Sequence, residues 1–115
     1  MPNREQTKTE VLQGTLDPMV LQTVDSLGPS HGYAIASRLE QVSGGALQLN
    51  MGTLYPALMR LEQRGLLRGT WGTTHNNRQA RFYALTSAGR RHLAQEREAW
   101  HRMAGIIDMV LDPET

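Results

Sequence analysis

Seven arginines lie between positions 60 and 91 of this 115-residue chain and make this stretch strongly basic. They are Arg60, Arg64, Arg68, Arg78, Arg81, Arg90 and Arg91, and Glu62 is the one acidic residue among them, so the stretch has a formal charge of +6. The remainder carries five basic and ten acidic residues, or −5. Guanidinium groups bind phosphate oxygens and guanine edges in a bidentate way. This segregated charge indicates a surface for a polyanion; the alternative is that these arginines only solvate a surface and pair with scattered carboxylates.

The stretch 48–86, which carries most of these arginines, predicts a short helix followed by a two-stranded hairpin. Leu54, Leu58 and Leu61 recur at helical spacing and should be buried. The residues left toward solvent are then Thr53, Tyr55, Pro56, Met59 and Arg60. We expect Gly65 to end the helix, strands over 66–74 and 80–85, and a polar turn over 75–78. The predicted fold is mainly α with a small β-hairpin, which is the layout of a winged helix-turn-helix.

Pro56 decides where this helix should begin. With Asn50 as the N-cap, the proline falls in the second turn and deletes a hydrogen bond to Gly52, at a cost of up to about 3 kcal/mol. With Thr53 as the cap, it falls in the first turn, where its missing N–H would be unpaired anyway. We therefore predict Thr53 as the cap.

Two helices and a short extended segment are predicted before this stretch. We expect residues 1–10 to be a flexible tail and the first helix to run from Val11 to the Gly28-Pro29 stop, with Thr15 or Asp17 near its start. Ser30 is the predicted N-cap of a second helix that ends at Gly44-Gly45. The alternating residues 46–50 could pair with the hairpin as a third strand. Residues 11–86 thus form the predicted winged domain.

Residues 87–115 predict one long helix that joins two copies of the chain. Leu93, Trp100 and Ile107 are spaced by sevens, and Met103 and Val110 repeat that interval. A small winged domain cannot cover so long an apolar seam, so a second copy should bury it around a two-fold axis. The alternative is that the helix folds back on its own domain.

Composition restricts the other classes of function. The chain has no cysteine, which excludes a disulfide framework and a thiolate metal site. No apolar run is long enough to span a membrane and no signal region is visible, so we expect a cytoplasmic protein without membrane association. Asp17, Asp25 and Glu40 are dispersed, and no serine has a nucleophile context, so we expect neither an enzyme nor a cofactor. His92 and His101 are nearly half a turn out of phase on the predicted helix and could hold a metal only across a dimer.

Several short motifs resemble those of the PadR family of bacterial transcriptional regulators. They are Leu12-Gln13-Gly14-Thr15-Leu16-Asp17, His31-Gly32-Tyr33-Ala34-Ile35, Gly52-Thr53-Leu54-Tyr55-Pro56-Ala57-Leu58, Gly65-Leu66-Leu67, Trp71-Gly72 and Arg81-Phe82-Tyr83-Ala84-Leu85-Thr86. The resemblance covers roughly residues 12–105 and is closest to the small subfamily with a single C-terminal helix. It implies a winged helix-turn-helix with a C-terminal dimerisation helix, and a homodimeric repressor of a transporter, detoxification or metabolic operon.

The motifs and the resemblance together give three sets of candidate site residues. The predicted contacts to double-stranded DNA, at a palindromic operator, are Ser30, His31, Tyr33, Asn50, Gly52, Thr53, Tyr55, Pro56, Arg60, Arg64, His75, Asn76, Asn77, Arg78 and Arg81. The predicted dimer interface contains Leu93, Trp100, Met103, Ile107, Val110 and Leu111. The resemblance also implies that Trp100, with Met103 beside it, faces its symmetry mate and binds a flat hydrophobic effector; the alternative is that Trp100 is only interface core. No metal site is predicted. Two further alternatives remain: a protein-interaction module without an effector, and a metal-responsive repressor.

Overall fold

The computed structural model describes residues 4–112, with side chains from Thr15 onward, as four helices and one three-stranded sheet. In chain order the elements are α1 (Arg4–Leu27), β1 (Ser30–His31), α2 (Gly32–Val42), α3 (Met51–Gln63), β2 (Leu67–Thr73), β3 (Gln79–Leu85) and α4 (Ser87–Leu111). The strands are antiparallel in the order β1-β3-β2. This confirms the predicted winged fold with a small hairpin and a long C-terminal helix.

Helix α1 begins at Arg4, two turns before the predicted start at Val11. Glutamate, glutamine and lysine are good helix formers, so a polar segment extends a helix that the apolar stripe further along has already formed. The predicted flexibility of residues 1–10 stays a prediction, and residues 1–3 lie outside the described part. The predicted stop is confirmed, because Gly28 has φ +79° and donates its N–H to Val24 O at 2.9 Å.

The start of α2 differs from the prediction in both its cap and its neighbour. His31 is the N-cap, with Nδ1 accepting the Ala34 N–H at 3.4 Å, so the assignment of Ser30 as cap is wrong. Ser30 lies in β1 opposite Tyr83, and its hydroxyl donates to Gly28 O at 2.6 Å. The third strand is therefore β1, and residues 46–50 form no strand.

Asn50, not Thr53, is the N-cap of α3, so Pro56 lies inside the helix. Asn50 Oδ1 accepts the Thr53 N–H at 2.9 Å. The hydrogen bond that Pro56 removes is outweighed by packing, because Leu54, Ala57, Leu58 and Leu61 are fully buried on one face of the helix.

The end of α3 and the start of α4 are joined through backbone contacts. Gly65, at φ +74°, donates to Glu62 O at 2.9 Å and ends α3 as predicted. Thr86 caps α4 by accepting the Gly89 N–H at 2.9 Å, and its hydroxyl donates to Gly65 O at 2.7 Å. A Cβ on Gly89 would collide with Leu66 O, so the close approach of α4 to the segment between α3 and β2 requires glycine there.

The core lies between α1, α2, α3 and the inner face of the sheet. Its residues are Leu16, Val20, Leu21, Val24, Ile35, Leu39, Leu54, Ala57, Leu58, Leu61, Leu66, Leu67, Tyr83 and Leu93. Leu93 is only 5% exposed within its own chain. The prediction that it faces a second copy is therefore wrong, because α4 packs its first two turns on its own domain.

Candidate nucleic-acid interface

Helix α3 buries one face completely and presents the other to solvent. Tyr55, Pro56 and Met59 are exposed, whereas the four core positions between and beyond them are fully buried. Thr53 is partly exposed at the first turn, beside the exposed Gly52 and the cap Asn50. An outward helix of this kind fits the major groove of a DNA duplex.

The first turn of α2 lies against the first turns of α3. A Cβ on Gly32 would stand 2.8 Å from Met51 Cε and 3.3 Å from Tyr55 Cε1, so this glycine permits close packing. Tyr33 is 68% exposed and shares a depression of about 380 Å³ with Asn50. The structure therefore brings both predicted site residues to one surface. The ring of His31 makes contacts within the protein: it caps α2, and it packs edge to face against Phe82 with 5.5 Å between ring centres.

The hairpin of β2 and β3 ends in a polar tip, as predicted. Asn77 adopts φ +61°, which asparagine tolerates better than most residues, and its N–H donates to Thr74 O at 2.9 Å. Thr74 Oγ1 accepts the Arg78 N–H at 3.2 Å. His75, Asn76, Asn77 and Arg78 are all exposed at this tip. We call the hairpin with its tip, residues 67–85, the wing.

Ion pairs between residues 15 and 112 involve four of the seven clustered arginines. Arg60 bonds Asp17 of α1 at 2.9 Å, and Arg64 lies 3.9 Å from the same carboxylate. Arg90 lies 3.8 Å from Asp25 Oδ1. The fourth, Arg81, bonds Glu62. The pairing alternative therefore holds for these four. Arg60 lies toward solvent as expected, with its side chain 38% exposed, but it is bonded to Asp17.

Arg68, Arg78 and Arg91 have no carboxylate partner within residues 15–112, and all three are exposed. Arg68 and Arg78 lie within the wing, and Arg91 lies in the first turns of α4. These are the cations left available for phosphate.

Arg81 connects the wing to α3. Its Nε donates to Glu62 Oε1 at 3.3 Å and its Nη2 donates to Oε2 of the same carboxylate. The hydrogen bonds from Arg81 lower the pKa of Glu62, and reciprocally they raise the pKa of Arg81. Burial raises the pKa of Tyr83, which faces the same side of the sheet. The pair fixes the angle between helix and hairpin.

Two residues at this surface were not singled out by the sequence prediction. Asp17 neutralises cations on α3 from 43 residues away, and no local pattern reports such a contact. Trp71 is 70% exposed on β2, with the Arg81 guanidinium 5.6 Å from its ring centre. The sequence did contain a signal for the orientation of Trp71. Alternate residues of a strand share a face, so Trp71 lies on the same inner face as Gly69 and Leu67.

A second cavity, of about 390 Å³, lies between α1, α2 and α4, and Trp100 stands at its edge. Its walls are mostly apolar, with Met19, Leu39, Leu47 and Leu93 among them. Polar groups also line it, among them Glu96 and Arg97, and Arg97 bonds Gln22. Met103, one turn beyond Trp100, does not line this cavity. The effector site that the resemblance implies, between Trp100 and its symmetry mate with Met103 beside it, stays a prediction.

The distal half of α4 carries apolar side chains that residues 15–112 of its own chain leave uncovered. Exposed residues there are Trp100, Met103, Ile106, Ile107, Met109, Val110 and Leu111. The predicted interface residues other than Leu93 belong to this set.

Among the described residues, no group of three or more histidine or acidic side chains could hold a metal ion. Within the same part of the chain, no helix has the length and apolarity to cross a membrane.

Comparison with known proteins places the chain among transcription factors. Residues 20–95 match the transcriptional regulator PadR-like family. A PadR family regulator from Eggerthella lenta superposes with a TM-score of 0.78 at 28% identity, over 94% of this chain and 91% of its own. A transcriptional regulator from Clostridium thermocellum gives 0.77 at 25% identity, over 86% and 95%.

One relative is closer in sequence but much longer. An uncharacterised 37.1 kDa protein of transposon Tn4556 from Streptomyces fradiae is 42% identical over 80 residues, which are 70% of this chain and 21% of that protein.

Proposed function

The chain belongs to the PadR-like family of transcriptional regulators, and on that premise we propose that it is a homodimeric repressor that binds a palindromic DNA operator and is released by a flat hydrophobic effector. The observation that carries the DNA-binding site is the outward face of α3 beside an acid-free wing. Residues 67–85 contain three arginines and no carboxylate, and only Arg81 among them is neutralised, by Glu62.

The proposed contacts divide by chemistry. Tyr55 and Thr53, near the start of α3, reach base edges in the major groove. Arg78 at the wing tip, Arg68 on β2 and Tyr33 at the start of α2 contact phosphates and position the protein. Ser30 is omitted from the proposed contacts because it is buried and bonded within the chain.

The proposed dimer rests on the distal half of α4. A row of seven exposed large apolar residues on one helix is more than an isolated soluble domain usually leaves to water. A second copy related by a two-fold axis covers such a row with the same row of its partner. This symmetry repeats α3 at two half-sites about 34 Å apart on the duplex.

The proposed effector site is the cavity beside Trp100. A volume of about 390 Å³ is within the range of small-molecule sites. Pro18 and Met19 of α1 line it, and the preceding residue, Asp17, holds Arg60 of α3. A ligand that displaces α1 therefore acts on an ion pair at the DNA-binding helix. In our proposal, release follows from the displacement of α3 that accompanies the movement of α1, because freeing Arg60 by itself would favour DNA binding.

The test for operator binding is footprinting on DNA upstream of the gene, followed by fluorescence anisotropy between about 50 and 200 mM salt. We expect two equal protected blocks, one helical turn apart. We also expect log affinity to fall with log salt by roughly one unit per phosphate neutralised. Binding without a salt dependence, or no binding to any duplex, would favour the protein-interaction alternative.

The effector site is tested on the protein without DNA. Calorimetric titration with 2-naphthol, a planar uncharged aromatic, is compared between wild type, Trp100→Ala and Met103→Ala. If Trp100→Ala alone weakens 2-naphthol binding, the result supports a site in the cavity within one chain. Equal weakening by both variants places the ligand at the two-fold axis instead, and no heat with any of the three removes the effector from the proposal.

A further inference from the structure

Trp71 is a large apolar side chain that the described chain leaves without cover. It stands opposite Arg81 in the β2–β3 register, just as Leu67 stands opposite Leu85 and Gly69 opposite Tyr83. Residues at these alternate positions share the inner face of the sheet. Leu67 and Tyr83 are buried there, but Trp71 is 70% exposed. The indole therefore lies on the inner face of the sheet, but beyond the part of that face that α3 covers.

The indole is held in place by the ion pair beside it. Arg81 crosses Gly69 so closely that a Cβ on this glycine would stand 2.6 Å from Arg81 Nε and 2.9 Å from Glu62 Oε2. The guanidinium is thus fixed between α3 and the strand, and it stands 5.6 Å from the Trp71 ring centre. A cation held against an aromatic ring restrains the ring's orientation. Trp71 is positioned before any partner arrives.

The chemistry around Trp71 selects the kind of partner. Its Nε1–H is a donor only, so it matches a group that only accepts. The wing has no acidic side chain, and Arg78 at its tip is exposed without a carboxylate partner among the described residues. The only carboxylate that the described residues place beside the indole, that of Glu62, is paired with Arg81. A flat apolar side chain with one donor, on a wing without acidic residues, complements deoxyribose rings and phosphate oxygens.

We propose that Trp71 contacts the sugar–phosphate backbone of the DNA strand that passes between α3 and the wing tip, with the indole packed on deoxyribose and Nε1–H donating to a phosphate. This inference rests on the proposed DNA-binding function. The contact is independent of base sequence, because every nucleotide presents the same sugar and phosphate. It adds affinity without releasing a counterion, since the indole is uncharged.

Anisotropy titrations of labelled duplexes test the energetic part. We expect Trp71→Ala to weaken binding to the footprinted operator and to an unrelated duplex by the same factor, about tenfold. The salt slope should stay that of the wild type. Trp71→Phe keeps a ring but loses the donor, so its affinity should lie between the two. Thr70→Ala, on the same strand but the opposite face, is the matched control and should bind as the wild type does.

Fluorine NMR tests the location directly. The chain has two tryptophans, so 5-fluorotryptophan labelling gives one resonance for Trp71 and one for Trp100, and Trp71→Phe assigns them. On addition of either duplex the Trp71 resonance should shift.

Each other outcome overturns the inference in a distinguishable way. If duplex binds while the Trp71 resonance and the Trp71→Ala affinity are unchanged, Trp71 lies off the DNA although the proposed function stands. An altered ratio between operator and unrelated duplex would make Trp71 a base reader. Loss of the dimer in Trp71→Ala would assign the indole to a protein interface, and no DNA binding by wild type would remove the proposed function as well.

Discussion

Arg81 of β3 and Glu62 of α3 form a two-point ion pair that joins the wing to the DNA-binding helix. Each side chain is about a third exposed, 32% and 28%, so solvent screens the pair and its main effect is geometric. A planar guanidinium bound at two nitrogens fixes direction as well as distance. The wing and α3 therefore present their contacts to one duplex as a unit.

Replacing Glu62 by glutamine should make the free energy of unfolding less dependent on pH in the acidic range. The pKa of Glu62 is lowered by Arg81 in the folded state, so its contribution to stability is complete at neutral pH and is lost as pH falls through that lowered value. Chemical denaturation at pH 7 and pH 3 measures this. We expect wild type to exceed Glu62→Gln in stability at pH 7 and the gap to narrow at pH 3. A gap of constant size would show that the charge of Glu62 contributes nothing.

Arg78→Ala and Tyr55→Phe should affect DNA binding differently. Arg78 contacts a phosphate in our proposal, so its loss should weaken all duplexes alike and reduce the log–log salt slope by about one. Tyr55→Phe removes only a hydroxyl near the start of α3 and should change the preference between operators with single base changes. Anisotropy on a panel of such duplexes separates the two. A changed preference in Arg78→Ala would show that the wing tip reads bases.

Gly89→Ala should destabilise the fold although alanine favours helices. The Cβ of the alanine would collide with the carbonyl oxygen of Leu66, in the segment between α3 and β2. Gly105→Ala is the matched control in the same helix, because nothing lies within 4 Å of the added methyl. Thermal unfolding should show a lower midpoint for Gly89→Ala, and for Gly105→Ala a gain of up to about 1 kcal/mol. Equal effects of the two changes would contradict the close contact at Gly89.

Local signals predicted the stops of the helices well. Glycine at positive φ decides such a stop by its own backbone freedom, as Gly28 and Gly65 both show. The wing was also predictable, since alternating β-formers flank a polar turn.

What the sequence did not reveal depends on residues distant along the chain. The start of α3 was misplaced because the local cost at Pro56 was weighed without the burial of the leucines around it. Strand β1 exists because Ser30 pairs with Tyr83, which a local window does not contain. The same limit hid the carboxylates that pair with Arg60 and Arg64.

A charge on the exposed row of α4 should separate the two copies. Ile107→Asp places a carboxylate within the apolar interface of the proposed dimer. Burying this unpaired charge would oppose association. Light scattering after size exclusion should give a monomer, and operator affinity should fall because one half-site is lost. His101→Glu, an exposed position about half a turn from Met103 and Val110 on the same helix, is the control and should remain dimeric. A dimeric Ile107→Asp would place the interface elsewhere.

Removing the carboxylate of Asp17 should tighten non-specific DNA binding while it weakens the fold. Asp17 binds Arg60 at 2.9 Å and lies 3.9 Å from Arg64, so Asp17→Asn releases two cations on the DNA-binding helix at once. Each freed guanidinium can neutralise a further phosphate, which steepens the salt slope by up to about two. The stability lost should be about 1 kcal/mol or less, since the arginines are partly exposed. Asp25→Asn, which frees Arg90 from a longer contact of 3.8 Å, is the matched control and should change the slope less. Anisotropy on an unrelated duplex and denaturant unfolding measure the two effects. An unchanged slope in Asp17→Asn would mean that Arg60 and Arg64 stay away from phosphate even when free, and the role of Asp17 would then be confined to holding α1 against α3.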